Sequence, residues 1–107
     1  MLSSFCVVYI TAPQGVKAKQ LVESILKYRL AACINLIPHV QSRYWWEGKL
    51  DSAKEALLII KTRRSHVKKL MHFVMRIHPY TVPEIIALPI IDGHKPYLQW
   101  LHKETRE

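Results

Sequence analysis

The period of the hydrophobic residues changes several times along this chain, and each change marks a structural element. Residues 4–11 are strand-prone with no helical stripe, and Pro13 and Gly15 end the run, which predicts a strand. Over residues 16–30 the spacing becomes helical. Ala18, Leu21, Val22, Ile25 and Leu26 share one face, with Lys17, Lys19, Glu23 and Lys27 opposite. Residues 31–37 read as a second strand. Pro38 lacks an N–H, so it must break that strand's ladder or lie on an edge. Extended chain resumes over residues 40–46, and Glu47-Gly48-Lys49 predicts a hairpin turn into a returning strand over residues 55–62. Ser65 is placed to cap a second helix, with Val67, Leu70, Met71 and Val74 as its stripe and its end before Pro79. Residues 84–91 form a further strand and Asp92-Gly93 turns the chain. Pro96 suits the first turn of a short last helix carrying Tyr97, Leu98, Trp100 and Leu101.

The predicted order is β-α-β-β-α-β followed by a short C-terminal helix. This is an α+β chain of the ferredoxin-like, split β-α-β kind, an antiparallel sheet with two helices on one face. The strands carry a second message. A sheet face open to water alternates to polar residues, but here Phe5, Val7 and Tyr9 alternate with Cys6, Val8 and Ile10. Leu57 to Ile60 and Ile85 to Leu88 are likewise continuously apolar. Each large apolar side chain buried is worth about 1.5–3 kcal/mol, so the second face predicts an obligate oligomer.

Composition narrows the classes. The chain has 107 residues, half of them hydrophobic, which fits one domain over residues 1–107. Its two cysteines, Cys6 and Cys33, sit in apolar strands without a CxxC motif or disulfide framework, so a reduced intracellular protein is expected. No signal-peptide pattern and no apolar run of about 20 residues is present, so no membrane association is expected. The formal net charge is +8. The basic residues are spread out except for Lys61, Arg63, Arg64, Lys68 and Lys69, which makes a solvated basic face the expectation and a nucleic-acid partner unlikely on composition.

Several local strings resemble the CutA family of divalent-ion tolerance proteins. They are Arg29-Leu-Ala-Ala-Cys-Ile-Asn35, Tyr44-Trp-Trp-Glu-Gly-Lys49, Leu58-Ile-Ile-Lys-Thr62 and His78-Pro-Tyr-Thr-Val-Pro-Glu84, joined by Ile86-Ala-Leu-Pro89 and Tyr97-Leu-Gln-Trp100. The order and spacing match from about residue 5 to residue 102. The resemblance implies a homotrimer similar in architecture to PII signalling proteins. It also implies a cytoplasmic, non-enzymatic role linked to tolerance of copper and other divalent cations. Thr81 and Lys27 stand where the family is usually acidic, and only Asp51 and Glu55 remain of an acidic cluster after the hairpin turn. The chain therefore reads as a divergent paralogue, of the vertebrate type, with less negative charge.

Two candidate sites follow. Pro79 and Pro83 pin an extended loop, so His78, Tyr80 and Glu84 are expected to line an intersubunit cleft with Lys61 and Trp46, suited to a small anionic ligand or metabolite. Cys33 is the thiol that matches the family, and with His78 it would supply soft ligands for copper. Cys6 is expected in the core. His66 and His72 lack the i, i+4 spacing of a helical metal pair. Alternation puts Trp45 on one strand face and Tyr44 and Trp46 on the other, which breaks a stacking platform for bases. No Gly-rich phosphate loop or Ser/His/Asp spacing points to an enzyme. The functional expectations are a copper-linked binding or signalling scaffold, a PII-like metabolite or nucleotide sensor, or a protein-interaction scaffold read through the basic helix around residues 66–76.

Overall fold

The computed structural model describes residues 4–106. The elements run β1 (Phe5–Pro13), α1 (Val16–Lys27), β2 (Cys33–Trp46), β3 (Lys49–Arg63), a 3-10 turn (Arg64–His66), α2 (Val67–Ile77), β4 (Ile85–Pro89) and α3 (Lys95–Glu104). The four strands form one sheet in the order β2-β3-β1-β4, with each neighbouring pair antiparallel. The predicted order of elements stands.

The register assigns the two faces. Val8 sits between Ile60 and Ala87, and Ile10 between Leu58 and Ile85. Alternation along β1 therefore places Cys6, Val8, Ile10 and Ala12 on one face with Ala56, Leu58 and Ile60 of β3. Helices α1 and α2 cover this inner face through Ala18, Leu21, Ile25, Leu70 and Val74, and the cluster is buried throughout. Cys6 lies on the inner face and is buried, as expected, and burial pushes its thiol pKa up.

The outer face presents Val7, Tyr9, Leu57, Ile59, Ile86 and Leu88. Only one end of it is covered by its own chain. There α3 lies across the strand ends. Arg63 donates from Nε to the Thr105 hydroxyl at 2.8 Å and from Nη2 to the His102 carbonyl, while the Phe5 ring meets His102 edge-on. His66 is buried and donates from Nε2 to the Thr105 carbonyl at 2.7 Å, which ties the end of α3 to the turn before α2. Further along, Ile86 is 50% exposed and Leu88 42%.

Several element ends differ from expectation for local reasons. Helix α1 closes at Lys27, three residues early. The Leu30 amide reaches the Ile25 carbonyl and the Arg29 amide the Leu26 carbonyl, with Arg29 at φ 54. That is a Schellman closure with arginine where glycine is usual. The Arg29 guanidinium is held by the carbonyl and carboxylate of Glu104 at 3.0 and 3.1 Å. Ser65 does not cap α2. The chain takes a 3-10 turn first, and the residue before α2 is His66, with no side-chain cap. Strand β3 begins at Lys49 rather than near residue 55, because Trp46 and Lys49 already pair across a two-residue turn. Both turn residues have positive φ, Glu47 at 50 and Gly48 at 79, as the twist of a tight hairpin requires.

The core and the surface should respond differently to truncation. Leu58→Ala empties a fully buried position and is expected to cost about 2–5 kcal/mol. Glu104→Ala removes an ion pair whose side chains are 58% and 35% exposed, and should cost less than about 1 kcal/mol. Urea unfolding of both variants at one protein concentration checks the contrast; equal losses would contradict this account of the core.

Candidate functional site

The site is set by where β2 gains an extra residue. Ile37 pairs with Leu57, but Val40 pairs with Glu55, so three steps on β2 match two on β3. The bulge falls at Pro38 and His39, where proline could not have donated to the ladder. Beyond it the strand's phase is reversed. Val40, Ser42, Tyr44 and Trp46 continue on the outer face, opposite Glu55, Ala53, Asp51 and Lys49. The far half of this hairpin projects past the end of β1, where Pro13 pairs with Glu55. The loop between α2 and β4 leaves the sheet at that same end, because Ile85 pairs with Ile10.

Between hairpin and loop lies a cavity of about 700 Å³. Tyr44, Trp46, Tyr80 and Val82 give it apolar walls, and Asp51, Glu55 and Glu84 give it carboxylates. The loop is fixed from behind by His78, which is buried. Its Nε2–H donates to the Thr11 carbonyl at 2.8 Å, and its Nδ1 accepts the Tyr80 amide at 3.0 Å. That pattern assigns the tautomer and commits both ring nitrogens. Tyr80 then turns its hydroxyl to Glu55, donating to Oε2 at 2.8 Å. Glu55 is only 5% exposed. Burial first, then the hydrogen bond and negative charge of Glu55, push the Tyr80 phenol up to about 12. Glu84 accepts a long bond, 3.5 Å, from the Thr11 hydroxyl.

The structure thus gathers Tyr80, Glu84 and Trp46 of the residues expected in the cleft. His78 stands behind the wall as its brace. Lys61 is elsewhere: it pairs with Cys33 across the strands, donates to the Asn35 side chain, and lies 3.9 Å from the Cys33 sulfur. Within one chain Lys61 therefore does not reach the cavity, whose one basic side chain is Arg43. The Cys33–His78 copper pair is not made within the chain either. Cys33 shares a row with Lys61 and Val7, whereas His78 bonds Thr11, four residues along β1 and about 13 Å away. Among the described residues, no group of three or more His, Cys, Asp or Glu is placed to hold a metal ion.

Sequence reasoning noted Glu55 only as what remains, with Asp51, of an acidic cluster, and not as a residue of the cleft. Its signal was present: it opens the run Ala56 to Ile60 and shares a face with Leu57 and Ile59, a lone carboxylate on an apolar face. Asp51, Thr11 and Tyr44 carried no comparable signal, because they reach the cavity only through the bulge and the hairpin's projection.

Residues 6–104 match the family model of the CutA1 divalent ion tolerance protein. The chain belongs to the CutA1 divalent ion tolerance family. It is 50% identical over 101 residues to the chloroplastic CutA 1 protein of Oryza sativa, covering 94% of this chain and 57% of that one, so it spans little more than half of that relative's length. Its fold is similar to the crystal structure of rice CutA1, with a TM-score of 0.94 at 48% identity over 99% of this chain and 97% of that one. It is also similar to the periplasmic divalent cation tolerance protein CutA of Archaeoglobus fulgidus, with a TM-score of 0.92 at 36% identity over 95% and 99%. These relatives overturn the cytoplasmic expectation, since the rice protein is chloroplastic and the Archaeoglobus protein periplasmic. Two unpaired cysteines inside the domain do not fix its compartment.

The Tyr80–Glu55 bond has a pH signature. The phenol titrates near 10 when unfolded and near 12 when folded. Between those values the folded chain binds the extra proton, so stability falls as pH rises, and below about 10 the contribution is constant. Urea midpoints measured from pH 9 to 12 should fall more steeply for the parent chain than for Tyr80→Phe. Identical slopes would mean that the folded chain does not hold this proton.

Proposed function

We propose that this chain works as a homotrimeric, non-enzymatic binding protein of the divalent-ion tolerance type, and that the cavity between the hairpin and the 79–84 loop takes its small ligand. The observation that carries this reading is the cavity itself. Its volume lies in the range of small-molecule sites, with aromatic walls and a few placed polar groups. Its polar groups favour binding over turnover. A phenol near 12 is far from the pKa at which a general acid or base works at neutral pH. The imidazole of His78 is already spent on two backbone groups.

The oligomer is supported by the outer sheet face. Val7, Tyr9, Leu57 and Ile59 are part-covered by their strand neighbours, so each gains a fraction of the full burial value when a second copy packs on it. The number three is what the family resemblance implies. The cavity opens on this same face and so borders the subunit contact. Sedimentation equilibrium at micromolar concentration is expected to give three times the 12.5 kDa chain mass, and Ile59→Lys is expected to shift the protein to monomer or to insoluble material. A monomeric parent chain would defeat the trimer.

A copper link is a second reading, favoured by Cys33. Its thiol is half-buried on the outer face, near Tyr97 and beside Lys61. Thiolate sulfur selects Cu(I), and one soft donor per subunit requires further ligands from other copies. In competition with a colorimetric Cu(I) chelator, the parent chain should hold copper and Cys33→Ser should not, with Cys6→Ala unaffected. Equal retention by Cys33→Ser would remove the copper link from this cysteine.

A further inference from the structure

The charge at the cavity runs against the charge of the chain. The protein carries 16 Lys and Arg against 8 Asp and Glu, yet three of those acids and one of those bases line the cavity. The one base, Arg43, pairs with Ser52 on the opposite hairpin face and borders the cavity from there. Glu55 adds an independent pointer. It is 5% exposed, and its Oε2 accepts from Tyr80. Among the described residues, its Oε1 receives no hydrogen bond from the protein, while Glu55 faces the cavity. That oxygen keeps contact with the solvent of the cavity, so it is free to take a donor or a positive charge from a ligand.

Tyr44, Trp46 and Tyr80 line the cavity with Glu55. Tyr44 lies close enough to Tyr80 to act on its phenol electrostatically. Aromatic faces attract an organic cation directly. A divalent metal ion instead needs several oxygens at about 2.0–2.6 Å, and gains nothing from a room of about 700 Å³. We propose that the cavity binds an organic ammonium cation, its charged head against Glu55 and its alkyl groups against Tyr44, Trp46 and Tyr80. This rests on reading the cavity as the ligand site.

Calorimetric titration of the full chain with choline chloride tests it, set against 3,3-dimethylbutan-1-ol, which has the same shape without the charge. Choline is expected to bind at least tenfold more tightly than the alcohol. Glu55→Gln should weaken choline about tenfold and leave the alcohol unchanged. Trp46→Leu, at an exposed position, should weaken choline severalfold, and it carries the test if Glu55→Gln fails to fold by circular dichroism. Titration with 1,5-diaminopentane separates a bare from a methylated ammonium head, and saturable binding of either supports the proposal. Binding of the alcohol as tight as that of choline, or tighter binding of butyrate, overturns the cation and leaves the cavity a ligand site. Zn2+ binding abolished by Glu55→Gln, with no choline binding, overturns it in favour of a metal. Failure of every probe to bind or to move Trp46 fluorescence overturns both the cation and the cavity as a site.

Discussion

A β-strand presents alternate residues to opposite faces, so one inserted residue exchanges the faces of everything beyond it. In this chain the insertion falls at Pro38 and His39. Were β2 regular, Glu55 would face His39, and Gln41, Arg43 and Trp45 would follow it towards the cavity. The bulge sends Val40, Ser42, Tyr44 and Trp46 there instead. The site then has Tyr44 and Trp46 of β2 turned towards its carboxylates, with Arg43 only at its border. Its chemistry depends on this phase. Proline makes the insertion cheap, because it has no N–H to lose from the ladder.

Strand β3 carries the consequences. It is 15 residues long and pairs with β1 over Glu55–Arg63 only. That half is the middle of the sheet, with Ala56, Leu58 and Ile60 under the helices. The other half, with β2, is a two-stranded arm, and such an arm gains little stability alone. Its exposed Trp45 and Leu50 are apolar surface that the subunit does not cover itself. The outer sheet face has the same character. Arm and face therefore make the same demand, and one packing of copies against each other can meet both.

Much of this was legible in the sequence. Periodicity alone placed α1, α2 and the strands, since a stripe such as Leu21, Ile25 and Leu70, Val74 has one use in a chain this size. The two-faced apolar character of β1 was plain from Phe5 to Ile10. The cavity was legible only in pieces. Pro79 and Pro83 marked a pinned loop, and His78-Pro79-Tyr80 lay within it. Pattern could not say which residues the loop would face, because that is decided by a register shift about 40 residues earlier. Lys61 and Cys33 were drawn towards His78 for their chemistry, but their row meets β1 at Val7 and His78 meets it at Thr11, four residues further along. Ser65 was a sound cap by residue type, but Arg64 to His66 is occupied by the turn that lets His66 hold Thr105.

The hydrogen bonds at the cavity form a chain that explains why its wall is rigid while its floor is reactive towards charge. The Thr11 carbonyl holds His78, His78 holds the Tyr80 amide, and the Tyr80 hydroxyl holds one oxygen of Glu55. Each link uses a group that burial would otherwise leave unsatisfied, so the loop cannot shift without breaking two backbone contacts at once. The chain ends on a carboxylate rather than on a neutral acceptor. A scaffold needing only a brace could have closed on a backbone carbonyl, as His66 does at Thr105. Ending on Glu55 instead places a carboxylate at the wall of a solvent-open space lined by Tyr44, Trp46 and Tyr80. A carboxylate so placed favours a hydrogen-bond donor or a positive charge as its neighbour in that space.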